Sequence, residues 1–137
     1  MTASLRTGAA HHSRCVVVPH HPRGARLARL RLAADLGPAV RPGLLVDVVA
    51  VAAELIGNAI RHAGPLPGGV VRVAWRLTGG GVEIRVTDGG GDQSPRVRAV
   101  GEYSPDGRGL TIVSAISDRW GVDHDGLGQC VWARVSA

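Results

Sequence analysis

Apolar and polar positions along this chain alternate with two different periods, and the changes between them divide it into elements. Cys15, Val16, Val17 and Val18 form a short apolar run stopped by Pro19 and Pro22, which predicts a strand. From Arg23 the pattern Ala25, Leu27, Ala28, Leu30, Leu32, Ala33 and Leu36 is helical, and Gly37-Pro38 is its stop signal. A longer helix is predicted from about Gly43 to His62, ending at Gly64-Pro65. Leu45, Val48, Val49, Ala52, Leu55, Ile56 and Ala59 give it a broad apolar face, while Glu54, Asn58 and His62 fall on another stripe.

The period then becomes two. Val71, Val73, Trp75 and Leu77 predict one strand and Val82, Ile84 and Val86 the next, with Thr78-Gly79-Gly80-Gly81 as the hairpin turn. Residues 88–108 are rich in Gly, Pro, Ser and Asp and predict a loop of the length that is usually functional or disordered. A third helix is expected over Gly109 to Ser117. Trp120 to Asp123 and Gln129 to Val135 close the chain as two strands around Asp125-Gly126. The order βααββ-loop-αββ predicts a two-layer α/β (α+β) sandwich, with helices on one face of a mixed, mostly antiparallel sheet.

At 137 residues the chain is sized for one domain, expected over residues 15–137, with residues 1–14 as a disordered tail carrying no secretory pattern. No apolar run is read as long enough for a membrane span. With no Phe and one Tyr, the core must come from Val, Leu, Ile and Ala. The formal net charge is +5 and all 16 basic residues are Arg. No nucleic-acid recognition motif accompanies that charge, which argues against a nucleic-acid role; a basic surface equally steers an acidic protein partner. Cys15 and Cys130 belong to no CxxC or Cys/His cluster, so both are expected as buried, reduced thiols in a cytoplasmic protein.

Three segments carry candidate chemistry. Glu54 and Asn58 lie four apart on one helix face. The Asn58 side-chain oxygen is of the kind Mg²⁺ accepts alongside phosphate oxygens, and Glu54 could polarise an attacking hydroxyl. His62 continues the ladder, and Arg61 offers positive charge near phosphates. Asp88 ends a strand, where a carboxylate can accept from the exocyclic amine of adenine while Gly89, Gly90 and Gly91 let a flat base approach the backbone. Gly107-Arg108-Gly109-Leu110-Thr111 precedes a helix whose exposed N–H groups favour phosphate, with Arg108 as a further contact. Each segment alone also has a plain structural reading: a solvated helix face, a post-strand turn, a helix start.

Glu-Leu-x-x-Asn-Ala-x-x-His, Asp-x-Gly and Gly-x-Gly-Leu together resemble the N-box and the two glycine boxes of the GHKL superfamily, closest to its stand-alone, RsbW-like anti-sigma-factor kinase branch. The segments from Gly109 to Val113, Asp118 to Val122 and Gly128 to Ala133 resemble the later part of that branch. The resemblance implies a Bergerat-type fold binding ATP with Mg²⁺, with Glu54 as catalytic base, Asn58 as metal ligand and Asp88 as the adenine-binding carboxylate. It implies that Gly90, Gly107 and Gly109 shape the lid and phosphate site. Implied partners are a sigma factor, a STAS-type antagonist phosphorylated on serine or threonine, and a second copy in a homodimer. The chain departs from the pattern at three places. Asp92 stands where the first box's second glycine would fall, Tyr103 to Asp106 lacks a basic residue, and Gln129 stands where Lys is common. These departures favour the alternative: a non-catalytic module, with or without ATP, that sequesters a regulatory partner. The catalytic half of a histidine kinase fits poorly, because no long dimerising helix carries an acceptor His, and His11, His12, His20 and His21 are expected at the solvated surface.

Overall fold

Each change of period becomes an element. The computed structural model describes residues 12–91, 105–124, 126 and 128–136, with the backbone alone at 105–109. The strands are β1 (Ser13–Pro19), β2 (Val70–Thr78), β3 (Gly81–Asp88), β4 (Arg119–His124) and β5 (Gln129–Ser136). The helices are α1 (Pro22–Leu36), α2 (Pro42–His62) and α3 (Pro105–Ile116). The sheet order is β1-β2-β3-β5-β4, and every neighbouring pair is antiparallel. The sheet is thus antiparallel throughout, where the sequence left room for a mixed one. Two consecutive helices between β1 and β2 reverse the chain three times, so β2 returns antiparallel to β1. α3 carries the chain from β3 to β4, and β5 pairs between those two strands.

All helices lie on the sheet face that presents Val18, Val71, Val73, Val82, Ile84, Val86, Ala133 and Val135. Across that face α1 buries Ala28, Leu32 and Leu36, and α2 buries Val48, Val51, Ala52, Leu55 and Ile56. Leu44 and Val51 join this stripe, whereas Leu45 and Val49 are only partly buried at its flank. α2 also corrects the expectation about membrane length. It is 21 residues long and holds an 18-residue window with a mean hydropathy of 1.8, enough by length and composition to cross a membrane. Here it packs on the sheet as the central core helix.

β1 takes in Ser13 and Arg14, which the sequence placed in the tail, and residues 1–11 lie outside the described residues. Cys130 is buried, but Cys15 is exposed, contrary to expectation, because it faces outward on an edge strand. Of the histidines expected at the solvated surface, His21 is exposed as expected, His12 is half-buried instead, and His11 lies outside the described residues. The His21 ring accepts from the Arg23 N–H as the N-cap of α1. His12 lies 2.8 Å from Asp35 Oδ2, the oxygen that also accepts from the Trp75 indole N–H at 2.8 Å.

That carboxylate ties β1, β2 and α1 together, and Arg14 adds an ion pair at 3.6 Å. Burial pushes the Asp35 carboxyl up, but the Trp75 N–H, His12 and Arg14 together outweigh it and hold the group below the ordinary carboxylate range. A depressed carboxylate stabilises the fold above its unfolded-state pKa, about 4, and loses that contribution as pH falls through the folded value. Asp35→Ala strands the buried indole N–H and should cost about 1–3 kcal/mol in urea unfolding at pH 7. The deficit should shrink in acid, and Asp35→Asn, which keeps an acceptor for Trp75, should lose less. An Asp35→Ala protein as stable as the parent would remove Asp35 from this role.

Candidate functional site

Three polar or charged side chains are buried among the described residues: Asn58 at 8% exposure, Asp88 at 1% and Gln129 at 3%. The fold collects them at one end of the helix-facing side of the sheet. Asp88 and Gln129 are direct cross-strand partners on β3 and β5. α2 reaches the same end, because the turn after it is pinned to the turn after β3. Gly64 N–H donates to Gly90 O and Gly89 N–H to Gly64 O, each at 2.8 Å. His20, from the β1–α1 turn, closes the arrangement with its Nε2 2.7 Å from Ala63 O and 3.0 Å from Ala59 O. His20 is therefore half-buried at the end of α2 rather than solvated at the surface.

Along α2 the ladder runs from buried to open. The Asn58 Nδ2 has no hydrogen-bond partner among the described residues, as is also true of the Thr78 and Ser117 hydroxyls elsewhere. An unpaired buried amide costs about 1–3 kcal/mol, a cost that a ligand bound here would relieve. A half-turn of the amide exchanges its oxygen and nitrogen, so the group can serve either as donor or as metal ligand. One turn earlier Glu54 is half-buried and makes no hydrogen bond or ion pair with a described residue. Arg61 and His62 are exposed on the last turn, and the Arg61 guanidinium leans back over Gly57, whose missing side chain leaves it room.

Asp88 is held by the turn it opens. Its Oδ1 accepts from the Gly90 N–H at 2.7 Å, and Gln129 adds a side-chain hydrogen bond. Burial still pushes the carboxyl above its ordinary value, against the opposing pull of the Gly90 N–H, His20 and Gln129. The glycines are needed here for close approach. A side chain at Gly89 would run into the Pro65 carbonyl and one at Gly128 into the Asp88 carbonyl, while Gly90 has a φ of 81°.

α3 begins at Pro105, four residues earlier than expected, because Pro with its preset φ is a favourable first helical residue. Gly107 and Gly109 therefore lie inside the helix rather than ahead of it. The Gly107 N–H still falls among the first-turn donors that have no helical acceptor, whereas Gly109 lies beyond them. Leu110 is buried at 4% exposure and anchors the helix beside Val113; Thr111 is exposed. The Arg108 side chain, Asp92, Tyr103 and the rest of the expected lid through residue 104 lie outside the described residues.

Residues 18–135 match the model of the histidine kinase-like ATPase domain. The chain belongs to this family. The histidine kinase-like fold is matched independently by the crystal structure of the RsbU and RsbW domains of Rv1364c from Mycobacterium tuberculosis. That match has a TM-score of 0.68 and 20% identity, and it covers 91% of this chain and 32% of that one. The chain thus spans about a third of that protein's crystallised length. Among curated proteins no significant match was found. ATP binding is the trait the family brings, and the buried Asp88 with its glycine turn and the unpartnered Asn58 amide fit such a ligand.

Two members of this polar end escaped the sequence reading. Gln129 registered there only as a missing Lys, yet it is the partner of Asp88. Its signal was the alternation Gln129, Val131, Ala133, Val135, which puts a polar residue on the helix-facing side. His20 carried no local signal, because its acceptors lie 39 and 43 residues away.

Proposed function

We propose that this histidine kinase-like domain is a cytoplasmic ATP-dependent regulator of the anti-sigma type, a kinase for serine or threonine on a STAS-type antagonist. The observation that carries the reading is the buried polar end of the sandwich, with an unsatisfied Asn58 amide one helical turn from an unpaired Glu54. Asp88 would accept the adenine amine, and the glycine turn from Gly89 to Gly91 would admit the flat base. The first-turn N–H groups of α3, with Arg108, would face phosphate oxygens. Asn58 would supply the protein oxygen to Mg²⁺, which when bound neutralises the charge that builds on the transferred phosphate. Glu54 would take the proton from the acceptor hydroxyl. The RsbW domain in the matching structure supports this branch of the family by fold.

Calorimetric titration with ATP tests the reading. Binding should require Mg²⁺ for full affinity, and Asn58→Ala should remove that dependence while filling no new space. ATP binding indifferent to Mg²⁺, or no binding, would overturn the metal role or the nucleotide site respectively. One observation favours the second reading, a partner-sequestering module without transfer. Gln129 stands where family members commonly carry Lys, and here its side chain is committed to Asp88. That module would bind its partner normally after Asn58→Ala.

A further inference from the structure

The sheet face opposite the helices is open, and register alone arranges its side chains into three cross-strand rows. One row is Ser13, Arg76, Glu83, Arg134 and Arg119; the next is Cys15, Ala74, Arg85, Trp132 and Gly121; the third is Val17, Arg72, Thr87, Cys130 and Asp123. Five arginines thus share this face with two carboxylates. Both acids are already engaged. Glu83 lies 3.1 Å from Arg76 and 3.8 Å from Arg85, and Asp123 lies 3.0 Å from Arg85. At the rim Asp118 accepts from the Ser136 hydroxyl.

Three arginines are left without a carboxylate among the described residues. Arg72 turns its Nε to the Cys15 sulfur at 3.0 Å, which leaves its terminal nitrogens unclaimed. Arg119 and Arg134 are direct cross-strand partners. Like charges placed directly opposite destabilise a sheet, so folding gives no reason for this pair. Beside them the Trp132 indole lies flat over Gly121, and Val17 is 59% exposed. A hollow of about 520 Å³ opens between Cys15, Arg72, Arg76, Arg85 and the arginine-paired Glu83.

We infer that this outer face docks an acidic polypeptide segment. Guanidinium groups recognise carboxylates through paired, geometrically matched hydrogen bonds. Rows about 7 Å apart along the strands, with neighbours about 4.8 Å apart across them, match the reach of successive acidic side chains. The exposed apolar Val17 and the indole of Trp132 add apolar contact of the kind a polypeptide's side chains can fill. A second copy of the same face would oppose arginine to arginine. The inference is independent of the nucleotide site, which lies on the other side of the sheet.

The test uses the whole nucleotide-free chain and a fluorescent deca-glutamate peptide at low salt. The peptide should bind, and binding should weaken as salt rises. Arg72→Glu with Arg119→Glu and Arg134→Glu should lower affinity about tenfold or more. The same change of charge on α1 (Arg23→Glu, Arg26→Glu, Arg31→Glu, all exposed) should lower it far less. Should the triple reversal fail to fold, the corresponding Arg→Gln triple should show a smaller loss in the same direction. The exposed Cys15 gives a readout without mutation, since bound peptide should slow its alkylation. No binding, or equal losses from both faces, overturns the proposal. So does tighter binding of a ten-nucleotide oligothymidine with the same dependence, or a dimer in sedimentation that the outer-face variant dissolves.

Discussion

Glu54→Ala is expected to lower phosphate transfer to a STAS-type partner by at least about 10² while leaving Mg·ATP affinity unchanged. The physical basis is the environment of the carboxylate. Glu54 is half-buried on the helix that carries Asn58, yet it holds no ion pair or hydrogen bond with a described residue. A structural carboxylate in that position would have found a partner, and its loss would show in stability. Here truncation should change stability by no more than about 0.5 kcal/mol, as for a residue without such ties. Transfer of labelled phosphate, read beside calorimetric affinity and a melting curve, separates the roles. Undiminished transfer would take Glu54 out of the mechanism, and a large loss of stability would make it structural instead.

The second large effect concerns Asp88→Asn, for which function and stability should move in opposite directions. Removing the ionised acceptor should weaken ATP binding on the order of tenfold to a hundredfold, the worth of a hydrogen bond to a charged group. Stability should rise at neutral pH. Burial raises the Asp88 carboxyl, so the native state holds its proton more tightly than the unfolded chain does. The favourable contribution is then complete below the unfolded pKa and disappears as pH climbs through the folded one. At pH 7 the parent keeps a buried charge that Asn lacks, while the Asn oxygen can still accept from the Gly90 N–H. The melting temperature of Asp88→Asn should therefore exceed that of the parent at pH 7, with the gap closing in mild acid. A lower melting temperature at pH 7 would mean that the Gly90, Gln129 and His20 contacts outweigh the cost of burial. Such a cost carried at a binding site is the usual exchange of stability for function.

Much of this architecture was legible from local chemistry. The switch from a helical to a two-residue period placed α2, β2 and β3 to within a residue or two, since apolar spacing reports which face must leave water. The four-residue spacing of Glu54 and Asn58, and Asp88 beside its glycines, were equally plain, because helix pitch and turn chemistry act over a few residues. α3 was misplaced at its start because glycine read as loop, whereas Pro105 opens a helix that tolerates Gly107 and Gly109 in its early turns.

What tertiary structure alone decided are relations between segments far apart in the chain. The sequence held the parts of the polar end, but only strand register sets Gln129 against Asp88, and only packing puts His20 at the end of α2. Asp35 carries no local signal in the sequence, and only the fold brings Trp75 and His12 to it. Likewise the arginines are scattered along the chain apart from a denser patch over Arg23 to Arg31, yet an antiparallel sheet brings five from outside that patch onto one face. The physical reason is the same in each case. Periodicity reports how each residue faces its own element, while hydrogen-bond register and core packing decide which elements meet.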